Sequence, residues 1–289
     1  MARHSTSIAG MKSFRAVSQT TILGITIFFL KKDDKPDAIM ADLATEKFVP
    51  VEKIFFEKFE ESNFTCTGIT YDKNNNSFWI ADYGALDSSE ETKPRLVEVD
   101  KELKKELSTI ELDLDYDKQI NLQGITYDEK TDSLWLAVGQ DIVNIDKTGK
   151  TIDELSLGKY SKYSANGIAY DDESDTLWVL CYRKWLLQMD KDGKILDSIK
   201  VNYKGQDHIC FSPSGSLLMT AGDDYAGEDN FLVEIDIRNK NSTIKCRIQE
   251  SYAIEGCIVI DKKLYVVNDG LYHNAKIKKS YISVYDFKE

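Results

Sequence analysis

Residues 123–136 read Gln123-Gly124-Ile125-Thr126-Tyr127-Asp128-Glu129-Lys130-Thr131-Asp132-Ser133-Leu134-Trp135-Leu136. This is a short apolar strand, a polar turn and a second strand led by an aromatic. Four other segments open in the same way: Thr67-Gly68-Ile69-Thr70-Tyr71-Asp72, Asn166-Gly167-Ile168-Ala169-Tyr170-Asp171, Asp207-His208-Ile209-Cys210-Phe211-Ser212 and Glu255-Gly256-Cys257-Ile258-Val259-Ile260. From the glycine, or His208, to Trp79, Trp135, Trp178, Leu218 and Tyr265 the offsets are 11, 11, 11, 10 and 9. Such a register marks an internal repeat. A third strand follows and ends in Asp100, Asp146, Asp190, Asp236 or Asp286, with the period-2 alternation of a half-buried strand. Turns such as Lys147-Thr148-Gly149-Lys150 and Lys191-Asp192-Gly193-Lys194 lead to a fourth strand over 106–112, 151–157, 195–201 and 242–248.

Four antiparallel strands recurring every 41 to 56 residues are the blades of a β-propeller. The fifth repeat stops after its third strand, at Phe287-Lys288-Glu289, and Val51 to Phe59 is the segment expected to supply its fourth. Such a closure removes an open sheet edge. The expectation is an all-β chain: one five-bladed domain over residues 48–289, behind a leader and linker over 1–47. The repeated Trp79, Trp135 and Trp178 are expected to pack between blades, and the repeated strand-end aspartates to cap turns.

The chain has 289 residues, of which 42% are hydrophobic and 30% charged, enough to bury a core and too ordered in pattern for a disordered segment. Its 37 basic and 49 acidic residues leave a net −12. The first fifty residues carry 7 basic and 5 acidic side chains, so the remainder holds 30 and 44, a net −14. That field repels phosphate backbones and excludes nucleic acid as a partner. It suits a cation, a small polar ligand such as a saccharide, or a basic protein partner. Five cysteines with no paired spacing argue against a disulfide framework or a thiolate metal site. Met11 to Leu30 has a basic start and an apolar end, stopped by Lys31-Lys32-Asp33-Asp34-Lys35. This fits a signal peptide or short signal anchor better than a full membrane span. Export or membrane tethering through this segment alone is expected, with a cytoplasmic chain starting at Met11 as the alternative, and a monomer in either case.

In a propeller the starts of the innermost strands and the ends of the second strands meet at one mouth. Residues there differ from blade to blade, whereas a scaffold repeats. The strand starts bring Thr67, Gln123, Asn166, Asp207 with His208, and Glu255; the strand ends bring Asp82, Arg183, Asp223 with Asp224, and Asn268 with Asp269. Carboxylates and amides together are the hard oxygen donors that Ca²⁺ or another divalent cation requires; the alternative is a solvated acidic rim. His208 and Asp223 are candidates for a proton shuttle or base, His208 being also readable as a buried structural residue. Asp82, Gln123, Arg183, Asp224, Asn268 and Asp269 are candidates for ligand contacts. Tyr160, Tyr163, Tyr203, Tyr252 and Tyr272 with His273 add aromatics to that face, and residues 83–94 form a longer insertion able to arch over it.

The units Gln123-Gly124-Ile125-Thr126-Tyr127-Asp128 to Leu134-Trp135-Leu136, and Asn166-Gly167-Ile168-Ala169-Tyr170-Asp171 to Leu177-Trp178-Val179, resemble blades of bacterial extracytoplasmic propellers of the SdiA-regulated and NHL-repeat kind. More distantly they are similar to the gluconolactonase/regucalcin group. That second resemblance implies a divalent cation held by Glu255, Asn166 and Asp207, although those lactonases have six blades. Five-bladed glycosidases of the arabinanase type imply three carboxylates around the channel. Two functions follow as expectations: a binding module with an acidic mouth, or a metal-dependent hydrolase, lactonase-like or glycosidase-like, at that mouth. A platform binding through the blade sides is a third.

Overall fold

In the computed structural model the described residues are 19–22, 25–28, 46–60, 64–83, 93–112, 121–160, 162–182, 184–222, 225 and 230–288. The chain divides at Asp37/Ala38. In the first unit Gln19–Ile22 and Ile25–Phe28 pair as antiparallel strands. Of the rest of the expected leader and linker only Glu46 and Lys47 are among the described residues. Among the described residues no helix is long and apolar enough to cross a membrane.

The second unit is a ring of five antiparallel blades. Blade 1 comprises Cys66–Asp72, Ser77–Asp82, Arg95–Asp100 and Glu106–Glu111. Blade 2 comprises Leu122–Asp128, Ser133–Val138, Asp141–Ile145 and Thr151–Ser156. Blade 3 comprises Ala165–Asp171, Thr176–Cys181, Trp185–Met189 and Ile195–Lys200. Blade 4 comprises Gln206–Phe211, Leu217–Ala221, Phe231–Asp236 and Asn241–Ile248. Blade 5 has Ile254–Ile260, Lys263–Asp269 and Ser280–Asp286.

The N-terminal strand closes blade 5, but over a shorter stretch than the expected Val51 to Phe59. Only Glu52–Ile54 pairs with the third strand of the blade, Ile282 facing Ile54. Glu57–Glu60 is instead a turn of 3₁₀ helix. The reason is the spacing of Phe56 and Phe59: both are buried against Phe64, and an i, i+3 pair reaches one core only from a helical turn. Lys47–Phe48 adds a further strand, parallel to the outer edge of blade 4, where Phe48 meets Phe287 edge to face.

The repeated residues hold neighbouring blades together. Trp79 of blade 1 packs in the cluster of Leu122, Leu134 and Leu136 of blade 2; Trp135 and Trp178 repeat this on blades 3 and 4. In blades 1 to 3 the aspartate ending the innermost strand accepts two backbone N–H groups of its turn, Asp72 from Asn74 and Asn75 at 2.9 and 3.0 Å. The preceding tyrosine donates its hydroxyl to the left-handed turn residue, Tyr127 to Asp132 and Tyr170 to Asp175 at 2.6 Å each. Lys147 of blade 2 then reaches back to buried Asp72 of blade 1, and Lys191 of blade 3 to buried Asp128 of blade 2, at 2.6 and 2.7 Å. The third-strand aspartates cap hairpins, as Asp146 does for the N–H groups of Thr148 and Lys150. All five cysteines are buried free thiols.

At the axis the innermost strands touch. A Cβ on Gly167 would lie 2.8 Å from His208 Cα, one on Gly256 2.8 Å from Gly68 Cα, and one on Gly124 3.0 Å from Gly167 Cα. Backbone sits where side chains would be, so only glycine fits. Gly167→Ala is expected to destabilise the ring by about 1–3 kcal/mol through forced displacement of backbone, seen as a lower midpoint in urea denaturation.

Candidate functional site

The waist of glycines divides two cavities. Residues before it, Gln123, Asn166, Asp207 and Glu255, line one of about 320 Å³ together with Asn121, Ser164, Tyr182, Tyr225 and His273. Residues after it, such as Ile125, Ile168 and Ile209, line one of about 550 Å³ at the opposite face, with His208. The four non-repeating strand starts therefore share one polar pocket. Gln123 donates to Asn121 Oδ1 at 2.5 Å and Asn166 to the Gln206 carbonyl at 3.3 Å, which fixes both amides and leaves their oxygens as acceptors.

Glu255 lines this cavity and interacts with the Asp269 carboxyl, and both side chains are buried. Burial, then the charges of Asp269 and Asp207, push the Glu255 carboxyl well above its ordinary range. Burial and the charge of Asp207 do the same to Asp269. Two desolvated carboxyls in contact resist carrying a second charge, so the pair holds a proton more readily than ordinary carboxylates do. His273, four residues beyond Asp269, places Nδ1 3.6 Å from Asp269 Oδ1. Burial lowers its affinity for protons. One ligand atom from each of Glu255, Asp269 and His273 lies within 4.8 Å of the others. Tyr225 packs edge-on to the His273 ring at 4.3 Å.

The loop carrying His273 runs ten residues from Asp269 to Ser280, against two between Val138 and Asp141 of blade 2. It folds back on itself at Gly270, where a Cβ would lie 1.9 Å from the Ile277 carbonyl. Along the chain His273 stands out only as an aromatic beside Tyr272; the broken repeat length of its loop is the signal that marks it.

Other expected site residues fall elsewhere. Asp82 is buried in an ion pair with Arg95 at 2.6 Å and accepts from the Thr65 N–H at 2.9 Å, so its carboxylate holds blade 1 rather than lining the mouth cavity. Asn268 is buried and spent on Ser251 and the Val266 carbonyl. Thr67 bonds the Leu122 carbonyl between blades 1 and 2. Arg183, Asp223 and Asp224, and most of the 83–94 insertion, lie outside the described residues. Tyr160, Tyr163 and Tyr203 pack against blade cores and Tyr252 is buried, so they make no aromatic platform.

His208, a candidate proton shuttle beside Asp207 and equally readable as a buried structural residue, lines the cavity of the opposite face and not the mouth. Its side chain crosses the channel to accept the Ile125 N–H at 3.5 Å and is buried, filling space that the four glycines leave. Burial lowers its pKa to about 4, so it is neutral near pH 7.

No protein family matches the sequence, and no curated protein does. Solved structures share the fold. Myxococcus xanthus glutaminyl cyclase is 10% identical, with a TM-score of 0.55 over 84% of this chain and 98% of that one. A luciferin-regenerating enzyme is 9% identical, with a TM-score of 0.44 over 78% and 94%. Kuenenia stuttgartiensis hydrazine synthase is 15% identical, with a TM-score of 0.47 over 71% of this chain, which spans 56% of that one. The chain is thus a β-propeller similar in shape to glutaminyl cyclase.

Two outcomes follow. His208 has a folded pKa near 4 against 6.5 unfolded, so its contribution is complete above pH 6.5 and is lost as pH falls towards 4. Between pH 7 and 4.5 the protein should lose about 2–3 kcal/mol more in urea denaturation than His208→Gln does. Arg95→Leu strands buried Asp82 and should cost about 3–5 kcal/mol, most of it recovered by adding Asp82→Asn.

Proposed function

We propose that this propeller is a binding module that takes a small polar ligand, neutral or cationic and of the saccharide or peptide class, at the acidic mouth. One observation carries the reading: blade-specific Gln123, Asn166, Asp207 and Glu255 gather in one cavity, while the blade-repeated residues are spent on packing and turns. Fixed amides supply directional acceptors, and Asp207 with the Glu255–Asp269 pair favours hydroxyl donors or an ammonium group. The net −14 beyond the first fifty residues steers cations towards the ring and repels anions. The basic and apolar leader, with the blade resemblance to extracytoplasmic propellers, supports export or tethering and an envelope saccharide or protein as the source of the ligand.

A hydrolase is the second reading, and the raised proton affinity of the Glu255 and Asp269 carboxyls beside the His273 ring favours it. Such a trio supplies an acid and a base at one point. A fold held in common with glutaminyl cyclase shows that a propeller of this size accommodates an enzyme.

The test is a calorimetric screen of neutral and amino saccharides and short basic peptides. Asn166→Ala and Asp207→Asn should each weaken the binding about tenfold, the loss of one charge-assisted or fixed hydrogen bond, while Lys73→Ala at the opposite face should leave it unchanged. Binding that responds to Lys73→Ala and not to the mouth variants would place the site on the other face. Turnover of a bound compound, abolished by Glu255→Gln, would favour the hydrolase.

A further inference from the structure

Asp269 ends the second strand of blade 5, His273 follows at i+4, and Glu255 starts the innermost strand of the same blade. Asp269 is only 2% exposed, yet its Oδ1 has no hydrogen-bond partner. His273 Nδ1 faces it at 3.6 Å, also without one. A buried oxygen and a buried ring nitrogen turned to one point without a hydrogen bond are costly unless something electropositive joins them. Glu255 brings a third donor to the same point, all three within 4.8 Å. Gly270, which no larger residue could replace without meeting the Ile277 carbonyl, holds the loop in this shape.

We propose that Glu255, Asp269 and His273 bind one divalent cation of the zinc or manganese class, with its open coordination positions facing the mouth cavity. The donors select the class. Ca²⁺ and Mg²⁺ take oxygen ligands, whereas an imidazole nitrogen beside two carboxylates suits Zn²⁺, Mn²⁺ and their neighbours. Three protein ligands leave room for a water or ligand oxygen. Glu255 and His273 both line the 320 Å³ cavity, so that room opens where a ligand would enter. This set keeps Glu255 from the ligands that the regucalcin resemblance implied and replaces Asn166 and Asp207 with Asp269 and His273. The inference rests on reading the mouth as the functional face, and it makes the bound cation part of ligand recognition.

The experiment is calorimetric titration of the chelator-treated full chain with Zn²⁺, Mn²⁺ and Ca²⁺, with circular dichroism to verify folding. One equivalent of Zn²⁺ or Mn²⁺ should bind and raise the melting temperature, with Ca²⁺ weaker by at least about tenfold. His273→Gln and Asp269→Asn should each lower that affinity by at least about tenfold, while His4→Ala and His208→Gln should not. Absence of binding to folded protein, affinity untouched in both ligand variants, or a preference for Ca²⁺ overturns the proposal. The two readings of the mouth separate cleanly. A polar ligand that binds chelator-treated protein at full strength and is lost in Asn166→Ala removes the metal and keeps the mouth. A metal lost in His273→Gln, with ligand binding indifferent to Asn166→Ala and Asp207→Asn, keeps the metal and removes the mouth as ligand site.

Discussion

The close approach of the innermost strands at Gly68, Gly124, Gly167, His208 and Gly256 governs the rest of the ring. Backbone meets backbone there at distances that admit no Cβ on the glycines, so the axis is sealed by main chain and by the one imidazole that crosses it. Everything radial follows from that contact. Ile69, Ile125, Ile168 and Ile209, one residue beyond the waist, fall into the cores between blades. Residues one position before it are turned out to a single face. A waist that loosened would join the two cavities and open the blade interfaces together.

The repeated motif serves that waist. Each Gly-Ile-x-Tyr-Asp unit supplies the axial contact, the core side chain, the hydroxyl that ties the turn and the carboxylate that caps it. In blades 1 and 2 that carboxylate also receives a lysine from the next blade, so Lys147 and Lys191 link neighbours through aspartates that are themselves fully buried. Such pairs cost desolvation and are retained here with several hydrogen bonds to each oxygen pair, which favours one register of blade against blade. The lysines lie over Tyr127 and Tyr170 at 5.1 and 4.8 Å, so the same cation is shared by ring and carboxylate.

The mouth is built on the opposite principle. Gln123, Asn166, Asp207 and Glu255 occupy equivalent positions and are two amides and two carboxylates where the scaffold repeats one residue, and the loop with His273 breaks the repeat length of its blade. Burial concentrates the electrostatics. Glu255 and Asp269 cannot both carry charge in contact and away from water, so a shared proton or a cation must answer for one of them. The same burial disfavours the charged form of His273.

Much of this was legible along the chain. Spacing alone gave five blades, the strand boundaries within about a residue or two, the tryptophans between blades and the capping aspartates, because each depends on local periodicity and turn chemistry. Strand topology also placed Gln123, Asn166, Asp207 and Glu255 on one face. Periodicity could not show that Phe56 and Phe59 would turn into a helix and shorten the closing strand, since a cluster with Phe64 decides it. Nor could it show that Arg95 would claim Asp82, that His208 would cross the axis to Ile125, or that a ten-residue loop would bring His273 to Asp269. Those are contacts between residues whose separation in sequence carries no period. The repeat therefore determined the ring and its faces, and packing in three dimensions decided which charged groups are spent on structure and which are left facing the mouth.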